Sequence, residues 1–162
     1  MNPESILSTL IDAPVRPGTI TWIGLRPQRR SAMLIVQSAK AVIGKGLEGD
    51  RFTSKTQGKR QVTLIQSEHL AAMASYLGRS EIDPTLLRRN LVTKGINLLA
   101  LKNKKFYVGN VLFEFSGECH PCSLMEENLG TGGYNAARGH GGITARVLEQ
   151  GEICLGNEIK TI

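Results

Sequence analysis

Two short apolar runs near the middle of the chain restrict its possible folds more than any other feature. They cover residues 105–108 and 111–115, and only Gly109 and Asn110 separate them. A two-residue loop that begins with glycine suits a type II′ turn, the usual connection of a tight β-hairpin. The second run alternates apolar and other side chains, so one face of the hairpin is predicted to be buried.

Other runs with strand character are also short and are separated by glycine-containing turns. They cover residues 19–25, 33–43 (with a bend), 61–66, 90–93 and 143–148. Residues 153–155 are predicted to pair with 143–148 as a second hairpin. Residues 67–77 form the clearest helix, with Ser67 as its N-cap and Gly78 at its end. Many short strands with one convincing helix predict a mostly β fold, arranged as a closed or partly closed barrel with a few short helices.

The length of the chain suits a single domain with a real core, which we assign to residues 1–162. The apolar run 6–11 is too short for a signal peptide, and no stretch approaches the length of a transmembrane helix. We therefore expect a cytoplasmic protein without a membrane partner. In a reducing compartment its three cysteines are better interpreted as thiols, ligands or catalytic groups than as a disulfide framework.

A pair of cysteines marks the region where we expect the chemistry. Cys119 and Cys122, spaced C-x-x-C, follow a β-patterned run and precede a short helix. Ser123 and Glu126 have the spacing of a capping box, and Gly130 is a suitable end for the helix. Cys122 therefore lies just before a helix N-terminus, where amide N–H groups and the helix dipole favour a thiolate.

The residues alone leave three interpretations of the cysteine pair open. A thioredoxin-like dithiol belongs on the first strand–helix unit of an α/β fold, whereas this pair comes late in a β-rich chain. A structural zinc site needs four ligands, and the residues that remain to complete one lack the usual paired spacing: Cys154, His69, His120 and His140. The third interpretation is a reactive thiol or a ligand to a cofactor-borne metal. We interpret Cys154 as a small buried strand residue and His69 as a surface histidine.

Two histidines are candidate acids near the cysteines. His120 lies between them and can be a ligand, an acid or a turn residue. His140 lies in the segment 134–142, which combines several glycines with Arg138. Because this concentration exceeds what a surface turn needs, we predict that His140 faces the site.

Basic residues occur at three corners where a loop meets a strand. The corners are Asp50-Arg51, Lys59-Arg60 and Arg88-Arg89-Asn90, in a chain with a net charge of +6. Guanidinium groups at such corners suit phosphate or carboxylate recognition. The basic residues do not form one stripe with interleaved aromatic residues, so nucleic acid ranks last among the partners. The candidate cofactor-binding residues are Asp50, Arg51, Arg60, Arg88 and Asn90.

An ordered set of segments resembles the MOSC domain, which occurs at the C-terminus of molybdenum cofactor sulfurases and in stand-alone bacterial proteins. The resemblance runs from about residue 44 to residue 159. The segments are GLEGDR (46–51), RQVTLI (60–65), RRNLV (88–92), GINL (95–98), the Pro121-Cys122 turn and ITARVL (143–148).

The resemblance implies a MOSC-type β-barrel and a molybdopterin-type molybdenum cofactor. In the family's enzymatic members a cysteine thiolate binds molybdenum, and the matching residue is Cys122. The arginine and asparagine that hold the pterin phosphate in the family match Arg88 and Asn90. The family often has proline between them, where this chain has Arg89, and some relatives also carry the earlier cysteine, matched by Cys119.

Two functions follow from the resemblance. The first is a molybdenum-cofactor oxidoreductase that reduces N-hydroxylated compounds to amines, with Cys122 as the metal ligand and His120 or His140 as proton donors. Because the sequence has no flavin, haem or iron–sulfur signature, this enzyme needs an electron-donor reductase and a small-molecule substrate as partners. The alternative is a sulfur or cofactor carrier, in which a cysteine desulfurase loads Cys122 with a persulfide and no turnover follows.

Overall fold

The computed structural model describes residues 5–51 and 58–162, and strands dominate it. The strands in these ranges are β1 (Gly18–Leu25), β2 (Leu34–Val36), β3 (Ser38–Val42), β4 (Gly46–Leu47), β5 (Val62–Gln66), β6 (Leu91–Lys94), β7 (Lys105–Val108), β8 (Val111–Glu118), β9 (Ile143–Glu149), β10 (Gly151–Cys154) and β11 (Glu158–Thr161). The helices are α1 (Ile6–Ile11), α2 (Ser67–Tyr76), α3 (Ser123–Leu129) and α4 (Gly133–Ala137), with 3-10 turns at Pro84–Leu87 and Leu98–Leu101.

Seven strands close into a barrel. Their order is β11-β7-β8-β9-β5-β6-β1, and β1 returns to pair with β11, with Gly18 opposite Ile159. Strands β5 and β6 run parallel, whereas the other neighbours in the ring are antiparallel. Strand β2 pairs with the end of β1 outside the ring. The predicted mostly β fold with a closed barrel and a few short helices is confirmed.

The predicted central hairpin is present, and it supplies the largest side chains of the core. Strands β7 and β8 pair directly, and Gly109 has a φ of 56°, as the first position of a type II′ turn requires. Phe106 and Phe113 face each other across the pair and are fully buried, with ring centroids 5.6 Å apart. These rings and the inward apolar residues of the other strands fill the barrel interior.

The second predicted hairpin is wrong in its pairing. Strand β9 lies between β5 and β8, so both of its edges are occupied, and β10 cannot pair with it. Strand β10 instead pairs with β3, with Ile153 opposite Ala39, in a separate sheet of order β10-β3-β4. The predicted long strand 33–43 is interrupted at Gln37. The two parts, β2 and β3, belong to different sheets.

A helical layer covers the outer face of β5 and β6. Ile65 and Val92 point outward and pack against α2, α3 and α4 in a second apolar cluster. Strand β5 is therefore buried along its whole length, on the barrel side and on the helical side. Helix α2 begins at Ser67, but its N-cap is Gln66 and not Ser67 as predicted. Within the described ranges no helix is both long and apolar enough to cross a membrane.

Candidate functional site

The cysteine loop connects the end of β8 to the start of α3 and holds its two thiols in different environments. Cys119 is buried, and its backbone N–H donates to the Gly142 carbonyl at 2.8 Å. Cys122 is exposed and is the N-cap residue of α3, one position before Ser123, which the predicted capping box made the N-cap. The two cysteines are therefore not equivalent, because a reagent or cofactor in solution meets Cys122 first.

The predicted capping box at the start of α3 is absent. Among the residues that the structure describes, no side chain caps this helix. The Glu126 carboxylate instead accepts hydrogen bonds from the Tyr134 and Gly132 backbone N–H groups, both at 3.0 Å. These two bonds lower the pKa of Glu126 because they stabilise its charged form. Glu126 thus joins α3 to α4, and it does not cap the helix start next to Cys122.

Arg89 is the guanidinium group that accompanies the cysteines. Its Nε donates to the Gly141 carbonyl at 2.9 Å, and its Nη1 donates to the Leu87 carbonyl at 2.9 Å. Burial lowers the pKa of Arg89, whereas the neighbouring Cys119 and Cys122 raise it. Two carbonyl bonds hold this side chain in one orientation, so its charge has a fixed position beside the thiols.

The sequence prediction missed Arg89 and selected its neighbour. The resemblance assigned the phosphate-holding roles to Arg88 and Asn90. It gave no role to Arg89, because the family often has proline at that middle position. In the structure Arg88 has a left-handed φ of 55°, and the two arginine side chains take different directions. The Arg88-Arg89 pair at a loop–strand corner was visible in the sequence, but the sequence pattern does not indicate which of the two guanidinium groups lies near the cysteines.

Arg88 extends toward the loop that follows β1. Its Nη1 donates to the Ser31 carbonyl at 2.7 Å and its Nη2 to the Gln28 carbonyl at 3.4 Å. Burial lowers the pKa of Arg88, and the positive charges of Arg26 and Arg51 lower it further. Arg88 is therefore held by two carbonyl oxygens, and a contact of Arg88 with a cofactor anion stays a prediction.

An ion pair lies at the centre of the arginine cluster. Both Asp50 carboxylate oxygens bond to the Arg26 guanidinium, at 3.0 and 3.2 Å, and Asp50 also accepts from the Arg26 backbone N–H at 2.7 Å. The Asp50 side chain is 0 % exposed and that of Arg26 is 22 % exposed. Asp50, a predicted cofactor-binding residue, thus orients Arg26, which is not among the predicted site residues.

Asn90 connects this ion pair to the barrel. Its Oδ1 accepts from the Thr63 backbone N–H at 3.1 Å and from the Thr63 hydroxyl at 3.2 Å, and lies 3.4 Å from Arg26 Nη2. Its Nδ2 donates to the Gly24 carbonyl at 3.1 Å. Asn90 is fully buried, and these partners engage both ends of its amide. A direct cofactor contact from Asn90 stays a prediction, while its bonds to β1 and β5 are structural.

The two candidate acids lie in different surroundings. His120 is exposed within the cysteine loop. The His140 ring packs against His69 and Tyr76 of α2, with centroids 4.5 and 5.8 Å apart. The loop that carries His140 reaches the site through its backbone, because the Gly141 carbonyl accepts from Arg89. A direct role of His140 in proton transfer stays a prediction.

His69 is half-buried against His140, so its assignment as a plain surface residue is wrong. Burial and the neighbouring His140 lower the pKa of His69 from its usual 6.5. The unfolded chain then binds more protons below that pH than the folded chain does. We expect the free energy of unfolding to fall as the pH falls from 6.5 toward the lowered pKa, and His69→Asn to flatten this slope. Urea titrations across this range measure it, and an unchanged slope in the variant contradicts the assignment.

The other predicted residues fall in two groups. The charge of Arg51 contributes to lowering the pKa of Arg88 and that of Arg60 to lowering the pKa of Arg89, and a cofactor contact from either arginine stays a prediction. Cys154 is half-exposed at the end of β10, and is less buried than predicted. Within the described ranges, no three His, Cys, Asp or Glu side chains come together as ligands of a metal ion.

Fold and site together define a β-barrel protein with an exposed cysteine beside a cluster of arginines. The sequence model of the MOSC domain matches residues 43–160. The chain therefore belongs to the MOSC domain family, a family associated with binding of the molybdenum cofactor. A search of curated proteins gives no significant match.

Solved structures with the same fold come from stand-alone bacterial proteins. YuaD from Bacillus subtilis is 17 % identical, with a TM-score of 0.77 over 91 % of this chain and 96 % of that chain. YiiM from Geobacillus stearothermophilus is 17 % identical, with a TM-score of 0.68 over 90 % of this chain and 75 % of that chain. YiiM from Escherichia coli is 18 % identical, with a TM-score of 0.66 over 89 % and 69 %. At these identities the likeness concerns the fold.

Proposed function

We propose that this chain is a molybdenum-cofactor-binding oxidoreductase in which Cys122 is the protein ligand of the metal. The observation that supports it is the exposed Cys122 thiol beside a cluster of arginines in a MOSC domain. The donor set fits such a cofactor, because a thiolate is a soft ligand and guanidinium groups suit a phosphate.

The cofactor would be bound at two ends, with its metal at Cys122 and its phosphate at the arginines. Arg88 and Arg51 would hold the phosphate, with Arg88 kept in place by the Ser31 carbonyl. Asp50 and Asn90 would contribute indirectly, because both bond to the Arg26 guanidinium and fix its orientation. This ordering in the protein reduces the entropy lost when an anion binds.

The proposed reaction is the reduction of an N-hydroxylated compound to an amine. When bound, the cofactor supplies a metal that accepts an oxygen atom in a two-electron step. The chain contributes a proton donor close to the ligand, for which the exposed His120 is placed two residues before Cys122. A separate electron-donor reductase would restore the starting oxidation state.

Metal and pterin analysis of wild type and Cys122→Ala, purified side by side without oxygen from molybdate-fed cells, tests the assignment. We expect about one molybdenum and one pterin per wild-type chain, and a loss of at least tenfold in the variant, because the remaining contacts lack the metal–sulfur bond. Cys154→Ala, a matched change on β10, is expected to retain both. Equal molybdenum in wild type and Cys122→Ala would refute the role of Cys122.

A sulfur carrier is the second candidate, because the exposed Cys122 is also accessible to a desulfurase. In that case incubation with a cysteine desulfurase and cysteine adds one sulfur atom to the wild-type mass and none to Cys122→Ala. Wild type that takes up this sulfur but contains neither molybdenum nor pterin would replace the reductase proposal with the carrier. Sulfur uptake by Cys122→Ala would remove the carrier.

A further inference from the structure

The cysteine loop, residues 119–122, is attached at its first residue to the glycine pair Gly141-Gly142, which directly precedes β9. The Cys119 backbone N–H donates to the Gly142 carbonyl at 2.8 Å. The two segments lie in close contact, because a Cβ atom added to Gly141 would collide with the Cys119 carbonyl oxygen. Gly142 has a φ of 88°, and a Cβ atom there would collide with the Leu64 carbonyl oxygen of β5. The glycine pair is therefore packed tightly between Cys119 and the barrel wall.

Arg89 joins this glycine pair to the 3-10 turn Pro84–Leu87. Its Nε donates to the Gly141 carbonyl and its Nη1 to the Leu87 carbonyl, both at 2.9 Å. Both donors belong to one planar guanidinium with a fixed geometry, so this side chain sets the distance between Gly141 and the turn. A charged donor also forms stronger hydrogen bonds than a neutral one, which makes the connection a firm one.

The same turn also holds α3, the helix that begins after the cysteine loop. The Asn128 Nδ2 donates to the Leu86 carbonyl at 2.9 Å, and Leu87 packs in one apolar cluster with Met125 of α3. The turn therefore supports the cysteine loop from both sides, through Arg89 and the glycine pair before the loop and through Asn128 after it. Cys122 lies between the two attachments, and its side chain is exposed.

We propose that Arg89 is a positioning residue for Cys122. It acts through the glycine pair on Cys119, three residues before the exposed thiol, while Asn128 fixes the other side of the loop. Residues that fix the orientation of a metal ligand strengthen metal binding, because the ligand then loses less freedom when the metal binds. This inference rests on the proposed function, since it treats Cys122 as the metal ligand. It gives Arg89 a role that requires no contact with the cofactor.

A nitroxide spin label on Cys122 measures this positioning without any cofactor. Cys119→Ala and Cys154→Ala leave Cys122 as the only thiol of the full chain, and the bond from Cys119 to Gly142 uses backbone atoms alone. The electron paramagnetic resonance spectrum of the folded chain separates immobile from mobile label. Urea unfolding of each variant measures its stability separately.

We expect Arg89→Gln and Arg89→Lys both to convert the immobile label into the mobile form. Lysine keeps the positive charge, but a single ammonium group lacks the guanidinium fork that bonds to both Gly141 and Leu87. In chains with all three cysteines, purified from molybdate-fed cells, Arg89→Gln should also bind molybdenum at least about tenfold more weakly than wild type.

Asn128→Ala releases the other side of the loop and should also give a mobile label. This variant decides the question if the Arg89 variants fail to fold. Arg146→Gln is the matched control, because Arg146 pairs with Glu114 at 2.7 Å across β8 and β9 and forms no part of the two attachments. Its spectrum should equal that of the chain with arginine at this position.

An unchanged spectrum in folded Arg89→Gln would overturn the positioning role, even if that variant is less stable, because a purely structural role moves the urea midpoint alone. A wild-type spectrum in Arg89→Lys would overturn it too, since charge and not the fork would then matter. If neither Arg89 variant folds, an unchanged spectrum in Asn128→Ala overturns it.

The test also separates the two proposals. A mobile label in Arg89→Gln, together with a wild-type chain that never binds molybdenum, supports the positioning role and refutes the reductase. An immobile label in Arg89→Gln, together with equal molybdenum in that variant and in wild type, refutes the positioning role alone.

Discussion

Asn90→Ala is expected to lower the free energy of unfolding by about 3 kcal/mol. The change removes the acceptor of the Thr63 backbone N–H and the donor to the Gly24 carbonyl, and both groups lie inside the barrel wall. A buried donor or acceptor left without a partner costs its full desolvation penalty, and alanine also leaves a cavity. The midpoint and slope of urea unfolding measure the change.

Asn110→Ala is the matched control for this prediction. Asn110 is exposed in the β7–β8 turn, so its replacement should change the free energy of unfolding by less than about 0.5 kcal/mol. Similar losses in Asn90→Ala and Asn110→Ala would show that the bonds of Asn90 to β1 and β5 are not important for stability. A large loss confined to Asn90→Ala would explain why asparagine stands where β6 begins.

Asp50→Asn is expected to destabilise the fold by about 3 kcal/mol, because it leaves Arg26 without a counter-charge in a largely buried position. The loss is increased by the other arginines nearby, since Arg26 already acts electrostatically on both Arg88 and Arg89. Urea unfolding at low and moderate salt measures the effect. Added chloride or phosphate should recover part of the loss, because either anion offsets the excess positive charge.

Glu158→Gln provides the comparison for Asp50→Asn. Glu158 pairs with Lys160 at 3.4 Å on the surface of β11, where both side chains are more than half exposed. An exposed ion pair of this kind contributes little to stability, so the free energy of unfolding of the variant should stay within about 0.5 kcal/mol of the wild-type value. If Asp50→Asn is as mild as Glu158→Gln, the ion pair with Arg26 does not organise the site.

The variants Asn90→Ala and Asp50→Asn also connect stability to the site. Asn90 and Asp50 share one partner, the Arg26 guanidinium, so their effects should not be additive. The double variant is therefore predicted to lose less than the sum of the single losses. This coupling would show that the arginine cluster and the barrel wall form one cooperative unit.

Much of the fold was predictable because it depends on local signals. The Gly109-Asn110 turn, the alternation that follows it and the helix at 67–77 are encoded within a few residues of one another. Which strands pair with each other was harder to predict, as the second hairpin shows. Whether β10 pairs with β9 depends on whether β5 and β8 already occupy the edges of β9, and both contacts join segments far apart in sequence.

The candidate site divides in the same way. Neighbouring residues were enough to predict that a C-x-x-C pair precedes a short helix and that arginines stand at loop–strand corners, although they made Ser123 and not Cys122 the N-cap of that helix. The folded structure was needed to show that Cys119 is buried, that Asp50 pairs with Arg26, and that Arg89 rather than Arg88 accompanies the thiols. The physical reason is that side-chain charge and burial depend on neighbours contributed by distant strands, whereas turns and caps depend on adjacent residues.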